Sequence, residues 1–336
     1  MLQSPIKTTE PKAVHNFVDG SSSNICDFKY SIVVPVLNGA DKIDELFRRI
    51  SETFESKNCR YEIVIVNDGS TDNTWDVITK AAAKNKHVVA VNLTRNFGQH
   101  PAVLCGLSNS TGDYVLTIDG DLQNPPEELF KLIEPAVEKR LDLIFAKFAK
   151  KQHAFYRRIG SKVISYLNEV IFAKPKDLSI SNVRIMSKDL VFRMCQYPTA
   201  FPYINGLALL CSDPGKRANV LVEHCKRTGS ESTYTPARIA KLVCTILFNY
   251  APLPKLIANI GYGIAWFSFV LAAAFIAKHY FLSSFLPEFT PIVVVMAFCN
   301  GILALLVGIL GQYASKMTET MSKNSSYAIG SIVKGE

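Results

Sequence analysis

The sequence lacks the short motifs that mark several common nucleotide-binding and metal-binding folds. No Gly-x-Gly-x-x-Gly follows the first predicted strand and no Gly-x-x-x-x-Gly-Lys-Ser/Thr occurs anywhere, which excludes a Rossmann dinucleotide site and a P-loop. The eight cysteines show no Cys-x-x-Cys pair and no cysteine–histidine spacing typical of zinc. Most lie in apolar patterns that predict small core residues in a reducing compartment, namely Cys59, Cys105, Cys195, Cys211, Cys225, Cys244 and Cys299.

A basic stripe of the kind that binds nucleic acid is also missing. The net charge is +8 at pH 7, but the basic residues are not interleaved with aromatic ones, so nucleic acid is not an expected partner. They concentrate between Lys147 and Lys241, ahead of two apolar runs. Anionic head groups or a lipid phosphate would attract such a surface, at about 1 kcal/mol for each nearby charge.

The two apolar runs are the longest uncharged segments of the chain. Residues 256–277 and 289–315 contain 22 and 27 residues, and each reaches the ~20 apolar residues that cross a bilayer. Lysines flank the outer ends of the pair, so a hairpin with both chain ends in the cytosol is predicted. Two buried helices of a soluble protein are the alternative. No basic leader followed by an apolar stretch opens the chain, so we expect the first half to stay in the cytosol.

Strand and helix patterns alternate along the first half. Apolar β-branched runs predict strands at residues 31–36, 61–66, 88–93, 114–118 and 142–148, and helical periodicity predicts helices at 42–54, 74–84, 101–109 and 127–139. This order indicates the α/β class, with a mostly parallel sheet covered on both faces.

Two carboxylates follow the fourth predicted strand. Asp119 and Asp121 are two residues apart, so in an extended segment they face the same side. Carboxylates that close oppose each other's ionisation unless a cation lies between them, and Mg²⁺ or Mn²⁺ bound to a diphosphate is the usual cation. Gly120 carries no side chain to block that approach. The alternative interpretation of Asp119, Gly120 and Asp121 is a solvent-exposed acidic turn that binds no metal.

A second acidic turn follows the second predicted strand. Asp72 or Thr71 is placed to cap the next helix, whereas Asp68 is not needed for capping. Asp68 lies just beyond the carboxyl end of a strand, where open α/β sheets bind ligands. Its carboxylate is therefore predicted to accept a hydrogen bond from a nucleobase or a ribose. A simple tight turn is the alternative.

Several further motifs occur in the same order as in a known family. They are Val-Val-Pro-Val-Leu-Asn at 33–38, Asn-Asp-Gly-Ser-Thr-Asp at 67–72, Arg-Asn-Phe-Gly at 95–98 and Asp-Gly-Asp-Leu-Gln-Asn-Pro-Pro at 119–126. From about Phe28 to the last residue, the chain resembles the family 2 inverting glycosyltransferases. It is most similar to the polyprenyl-phosphate type, which includes dolichol-phosphate mannose synthase and bactoprenol glucosyltransferases. Leu37-Asn38-Gly39 stands where that family often has Tyr-Asn-Glu.

The resemblance implies roles for individual residues. Asp119, Asp121, Gln123 and Arg184 are the implied catalytic residues, and Asp121, Asp119 and Gln123 would hold Mg²⁺ or Mn²⁺. The implied nucleotide-binding residues are Pro35, Leu37, Asn38, Asp68, Arg95 and Asp119. Arg184, in an otherwise apolar segment, would bind a polyprenyl phosphate with help from Arg157 and Arg158. An exposed arginine with a buried stem is the alternative for Arg184. His100 is not assigned as a base.

The resemblance also implies the domain organisation. The sheet, of the glycosyltransferase A type, is predicted to be complete before Tyr250, with interfacial helices following it. The predicted segments are a flexible extension at 1–27, a cytosolic glycosyltransferase domain at 28–234, an amphipathic juxtamembrane segment at 235–255, a two-helix transmembrane hairpin at 256–315 and a cytosolic tail at 316–336. An integral protein of the bacterial inner membrane is expected. Its partners would be a nucleotide sugar, a polyprenyl phosphate lipid and the membrane, with a homo-oligomer left open.

The implied reaction needs no side chain as a base. A lipid phosphate is already ionised at neutral pH, so it can attack the anomeric carbon of a UDP-hexose directly, and one in-line displacement inverts that centre. A mannosyl transferase that uses GDP-mannose and an inactive membrane scaffold are the alternatives. A processive polysaccharide synthase would need Gln-x-x-Arg-Trp, which is absent because tryptophan occurs only at Trp75 and Trp266.

Overall fold

The structure is a computed structural model. It describes residues 24–148, 155–199, 201–223, 236–250 and 326–335, together with scattered positions between 295 and 317. Arg157 and Arg158 fall within a described helix, but their side chains lie outside the described part of the structure. Cys225 lies outside the described residues.

One eight-stranded sheet organises the described chain, in the spatial order β7-β5-β6-β4-β1-β2-β3-β8. β6 and β8 run antiparallel to their neighbours, and the remaining pairs are parallel. The strands are β1 (Lys29–Val36), β2 (Arg60–Asn67), β3 (Val88–Leu93), β4 (Tyr114–Thr117), β5 (Leu143–Phe148), β6 (Arg184–Ser187), β7 (Arg217–Val222) and β8 (Ile329–Lys334).

Helices cover both faces of this sheet. They are α1 (Ile43–Glu55), α2 (Thr74–Ala82), α3 (Gln99–Ser108), α4 (Phe130–Glu138), α5 (Phe155–Phe172), α6 (Lys188–Gln196), α7 (Ile204–Cys211) and α8 (Pro236–Tyr250). Side chains from α1, α2 and α4 share one buried cluster, and those from α3, α6 and α7 share another. The predicted α/β class is thus confirmed, and the four helices and five strands predicted in the first half are all present.

The alternation of β1 shows why the central strands are buried on both sides. Ile32 and Val34 belong to the first cluster, whereas Val33 between them belongs to the second. Successive side chains of a strand point to opposite faces, so a continuous apolar run supplies both cores at once. Gly106 of α3 permits close packing on this strand, because a Cβ there would lie 2.3 Å from Val33 Cγ1.

The sheet is not complete before Tyr250, which corrects the sequence prediction. Residues 329–334, predicted as part of a tail, form β8 and pair antiparallel with β3. The backbone amide of Thr94 also donates to the carbonyl of Ala328 over 3.0 Å. The tail therefore occupies the open edge of β3. Most residues of β8 are exposed, so this strand lacks the strongly apolar pattern by which the inner strands could be predicted.

The reading of Cys59 as a reduced core cysteine is also wrong. Cys26 and Cys59 form a disulfide that joins the segment before β1 to the start of β2, with 4.5 Å between their Cα atoms. The described cysteines Cys105, Cys195, Cys211 and Cys244 carry free thiols. Of these, Cys105 is buried and Cys244 is exposed, because its helix α8 turns that residue outward.

The predicted membrane spans, residues 256–277 and 289–315, lie outside the described residues except for scattered positions in the second. No helix within the described part of the chain is long and apolar enough to cross a bilayer. The predicted juxtamembrane segment does contain a helix, α8, which packs against α5. Its position at a membrane interface stays a prediction.

A buried carboxylate closes the amino end of the sheet, opposite the predicted site. Glu62 in β2 accepts hydrogen bonds from Lys29 Nζ at 2.7 Å and from the backbone amide of Thr111 at 2.6 Å. Ser31 Oγ donates to it as well. Burial alone would raise the pKa of Glu62, but these donors outweigh it and hold the pKa below the usual value.

We predict that Glu62→Gln lowers the free energy of unfolding by about 1–3 kcal/mol at pH 7, because a buried charged acceptor is lost. Because the folded pKa is depressed, this stabilisation is present above the unfolded pKa of about 4.3 and is lost as pH falls through the folded value. Urea unfolding at several pH values measures it. Glu52→Gln, at an exposed carboxylate, is the control; an equal loss in both variants, or a difference independent of pH, would contradict the account.

Candidate active site

The two predicted metal-binding carboxylates lie at the carboxyl end of the central strand β4. This strand sits between β1 and β6, so its end faces the ends of β1 and the start of β6. Gly120 fits closely here, because a Cβ would lie 3.0 Å from Val36 Cγ2. Leu122 takes a left-handed φ of 60°, a conformation that costs a non-glycine residue energy and is typical of functional sites.

Side-chain amides hold Asp119 in place. Gln99 Nε2 donates to Asp119 Oδ1 over 2.7 Å. Asn182 Nδ2 lies farther away, at 3.4 Å from Oδ1 and 3.5 Å from Oδ2. Burial and then the charge of Asp121 raise the pKa of Asp119, while Asn182, Arg184 and Gln99 oppose the rise.

Asp121 and Gln123 contact each other directly. Gln123 donates from its backbone amide to Asp121 Oδ1 over 3.1 Å and from Nε2 to Oδ2 over 2.6 Å. The predicted metal residues Asp119, Asp121 and Gln123 therefore belong to one short turn after β4. Because Gln123 offers a carboxamide, its side-chain oxygen is a ligand type that Mg²⁺ and Mn²⁺ accept once the amide rotates.

The donor set fits a divalent cation that shares its coordination with a substrate. Among the described residues, no group of three or more His, Cys, Asp or Glu side chains is placed to hold a metal ion. Mg²⁺ does not need such a group, since it is usually bound by one or two carboxylates together with substrate phosphates. Burial, and then the negative charge of Asp121, raise the pKa of Asp119, and a cation between the two carboxylates would relieve their repulsion.

Asp68 has a structural role that the sequence did not predict. Its side chain is buried, and its carboxylate accepts from the backbone amides of Phe97 at 2.8 Å and Gly98 at 3.0 Å. Burial raises the pKa of Asp68, while these two amides lower it. The carboxylate thus fixes the loop that leads into α3. Its predicted contact with a nucleobase or ribose stays a prediction.

The other predicted nucleotide-binding residues lie around the ends of β1 and β3. Pro35 is half-buried in β1, and Leu37 is exposed just after it. Asn38 has a left-handed φ of 50°, and its Oδ1 accepts from the backbone amide of Thr71 over 2.9 Å. The guanidinium of Arg95 lies 4.9 Å from the ring centre of Phe97. In the described structure, neither Asn38 nor Arg95 bonds to Asp119 or Asp121.

Arg184 is buried beside Asp119 and is not an exposed surface arginine. In β6 it is paired with Thr117 of β4, and its Nε donates to Thr117 Oγ1 over 3.0 Å. Its Nη1 donates to Asn205 Oδ1 over 2.6 Å. Burial lowers the pKa of Arg184 to about 10, while Asp119 opposes that shift, so the side chain stays charged at neutral pH. Two nitrogens of the guanidinium are therefore already bonded to protein acceptors.

His100 stands next to this group without facing the carboxylates. The edge of its ring packs on Tyr203, with 5.3 Å between ring centres. Burial, and then the charge of Arg184, lower the pKa of His100 to about 4, so the imidazole is neutral near pH 7. Arg157 and Arg158 lie in the first turn of α5, and their predicted contact with a phosphate stays a prediction.

The sequence pattern did not predict the side-chain amides that contact Asp119 and Arg184. Gln99, Asn182 and Asn205 all contact Asp119 or Arg184, yet none had been singled out. Gln99 follows the carboxyl end of β3, so its position at the ligand edge of a parallel sheet was an available signal. Asn182 and Asn205 depend on β6 and α7, whose placement could not be read from periodicity.

Comparison with known proteins agrees with this geometry. Residues 31–192 match the model of the family described as glycosyl transferase family 2. The match covers β1 to α6 and includes Asp119, Asp121, Gln123 and Arg184.

Several solved structures share the fold. Glucosyl-3-phosphoglycerate synthase from Mycobacterium tuberculosis, in complex with Mn²⁺, UDP and phosphoglyceric acid, aligns with a TM-score of 0.50 at 20% identity over 66% of this chain and 78% of that one. The same enzyme with Mn²⁺, UDP-glucose and phosphoglyceric acid gives 0.50 at 17% identity, over 69% and 85%. Mannosyl-3-phosphoglycerate synthase from Rubrobacter xylanophilus gives 0.50 at 16%, over 69% and 75%.

At these identities, the solved structures support the fold alone. The glycosyltransferase activity is inferred from the family match of residues 31–192. Residues 31–192 therefore match a glycosyl transferase family 2 domain on the α/β fold that the sequence predicts, and the protein is a glycosyltransferase.

Proposed function

We propose that the protein transfers a hexose from a UDP-hexose donor to a polyprenyl phosphate, with inversion, at the cytosolic face of a membrane. Mg²⁺ or Mn²⁺ would be held by Asp121 and Asp119, with Gln123 beside them. The observation that carries the proposal is the arrangement at the end of β4, where two carboxylates lie next to a buried, charged arginine. Such a site holds a cation–diphosphate on one side and an anionic acceptor on the other.

The donor half of the proposal has support from both the site and the relatives. Asp119 and Asp121 are like charges in a partly buried turn, a setting suited to a metal-bound diphosphate. The solved complexes of glucosyl-3-phosphoglycerate synthase contain Mn²⁺ with UDP or UDP-glucose. When bound, the metal would neutralise charge that develops on the departing diphosphate.

The acceptor half depends on the charge of Arg184. In the described chain its Nε and Nη1 bond to protein oxygens, whereas no partner is seen for Nη2. We assign Nη2 to the acceptor phosphate, with Thr117 and Asn205 keeping the guanidinium in place. One nitrogen of the guanidinium is then left for a charge-assisted hydrogen bond to the ligand. Phosphoglyceric acid, which is bound in the solved complex of glucosyl-3-phosphoglycerate synthase, also carries a phosphate, although it is small and soluble.

The lipid character of the acceptor is supported by exposed apolar surface. Val163, Tyr166 and Val170 follow one another at helical spacing on α5, and all three are exposed, Tyr166 and Val170 each by 64%. Helix α8 packs on this same helix. The two long uncharged runs of the sequence follow α8 directly. A membrane on this side would bring a polyprenyl phosphate to the β4 end at high local concentration.

The chain's own residues position the reactants and need not remove a proton. The acceptor phosphate is ionised, so Arg184 has only to orient it toward the anomeric carbon. The neutral imidazole of His100 keeps a second positive charge away from Arg184. A single displacement from the face opposite the diphosphate then inverts the anomeric centre.

Asp121→Asn should abolish sugar transfer from UDP-hexose to polyprenyl phosphate, because the metal loses a charged ligand. EDTA should abolish transfer by the wild type, and added Mn²⁺ should restore it. Asp76→Asn, at an exposed carboxylate of α2, is the matched control and should behave like the wild type. Full activity of purified Asp121→Asn, or of the wild type after chelation, would contradict the metal site.

Arg184→Ala should raise the Michaelis constant for polyprenyl phosphate and lower turnover, roughly 10- to 100-fold in kcat/KM, since a charge-assisted hydrogen bond is lost. Calorimetric affinity for UDP with Mn²⁺ should stay near the wild-type value. Arg184→Lys should fall between the two, because lysine keeps the charge without the planar donors.

Lys176→Ala, which removes an exposed positive charge, is the control for Arg184. Melting temperatures are measured for each variant, because Asn205 and Thr117 lose a buried donor in Arg184→Ala. An Arg184 variant that loses nucleotide affinity but handles the lipid normally would place Arg184 on the donor diphosphate.

A further inference from the structure

Gln99 makes the shortest contact with Asp119. Its Nε2 lies 2.7 Å from Asp119 Oδ1, whereas Asn182 lies 3.4 Å and 3.5 Å from the two oxygens. The protein thus holds one oxygen of this carboxylate firmly and leaves Oδ2 with a single long contact. A carboxylate that is held by one oxygen has a defined direction for the other.

The position of Gln99 is itself fixed by the buried Asp68. Gln99 is the first residue of α3 and follows Gly98, which has a φ of 101°. Asp68 accepts from the backbone amides of Phe97 and Gly98, the two residues before Gln99. Because Asp68 is only 3% exposed, solvent competes little for these bonds.

A second contact ties the same loop to the turn after β2. Gly69 has a φ of 67°, and a Cβ there would lie 2.4 Å from the carbonyl carbon of Arg95. The two loops therefore pack backbone against backbone. The turn that carries Asp68 and the loop that ends at Gln99 are thus joined both by hydrogen bonds and by close backbone packing at the ligand edge of the sheet.

The residue type at position 99 also suits this role. A carboxamide donates a hydrogen bond without adding charge. A lysine would neutralise the carboxylate pair and oppose the binding of a cation, whereas a glutamate would repel Asp119. Glutamine is thus suited to orient Asp119 while leaving the negative charge of the pair intact.

We propose that Gln99 is a positioning residue of the transfer site and acts through Asp119. Its hydrogen bond to Oδ1 leaves Oδ2 as the oxygen that meets the nucleotide sugar or its metal, and Asp68 sets Gln99 in place. This inference rests on the proposed use of a nucleotide sugar at this site, and goes beyond it by adding a residue and a direction for the carboxylate.

The test compares the full-length wild type with Gln99→Ala, Gln99→Glu and Gln196→Ala. Glutamate keeps the shape of glutamine but cannot donate, which separates hydrogen bonding from packing. Gln196, exposed at the end of α6, is the matched glutamine control. Three quantities are measured: kcat/KM for UDP-hexose with polyprenyl phosphate, calorimetric affinity for UDP with Mn²⁺, and melting temperature.

Gln99→Ala should lower kcat/KM about 10- to 100-fold, the effect of one hydrogen bond to a charged group. Gln99→Glu should lose at least as much, and affinity for UDP with Mn²⁺ should fall in both. Melting temperatures should match that of Gln196→Ala. In the Asp119→Asn background, Gln99→Ala should cause little further loss of UDP affinity, because two residues that act through one contact are not additive.

Wild-type affinity for UDP in both Gln99 variants would overturn the inference. So would a loss that adds in full to that of Asp119→Asn, since Gln99 would then act independently of Asp119. A wild type that binds UDP with Mn²⁺ but transfers no sugar to polyprenyl phosphate would refute the proposed acceptor. The calorimetric comparison would still decide the role of Gln99.

Discussion

The repulsion between Asp119 and Asp121 is the constraint around which this site is built. Two carboxylates in one turn oppose each other's ionisation, and burial, followed by the charge of Asp121, raises the pKa of Asp119. Neutral amides donate hydrogen bonds to both carboxylates: Gln99 and Asn182 to Asp119, and Gln123 to Asp121. These hydrogen bonds reduce the repulsion between Asp119 and Asp121 but bring no positive charge. The pair can therefore still bind a divalent cation.

Arg184 connects this pair to the rest of the fold. It reaches the site because β6 runs antiparallel between β4 and β5 and puts residue 184 beside Thr117. A buried guanidinium is tolerated only where it is hydrogen-bonded and close to negative charge, and Thr117, Asn205 and Asp119 meet both conditions. The antiparallel strand β6 thus places the positively charged guanidinium of Arg184 at the carboxyl end of β4.

Much of the fold follows from local pattern, and the remainder depends on pairing between distant segments. The strands β1 to β5 are apolar runs between helical periods, so periodicity predicts them. β6 has four residues, and β8 lies some 80 residues beyond α8 in sequence and exposes most of its side chains. Neither strand has a hydrophobic periodicity by which it could be predicted. Each is stabilised by pairing with a strand that is distant in sequence.

The same distinction holds for the site. Asp119, Asp121 and Gln123 share one turn and could be predicted together, whereas Gln99 and Asn205 come from other elements. The burial of Arg184 and the structural use of Asp68 also depend on tertiary contacts. Residue type and spacing therefore predicted the charges at this site, and only the folded chain shows how they are held.

The most direct test of the account follows the anomeric carbon. Purified full-length protein is incubated with UDP-α-glucose, Mn²⁺ and a polyprenyl phosphate in lipid vesicles, and the anomeric configuration of the product is read by NMR coupling constants. Direct attack by the lipid phosphate predicts a β-linked glucosyl phosphate lipid that forms only with metal. An α-linked product, or transfer to water or to phosphoglycerate with none to the lipid, would contradict the proposed reaction.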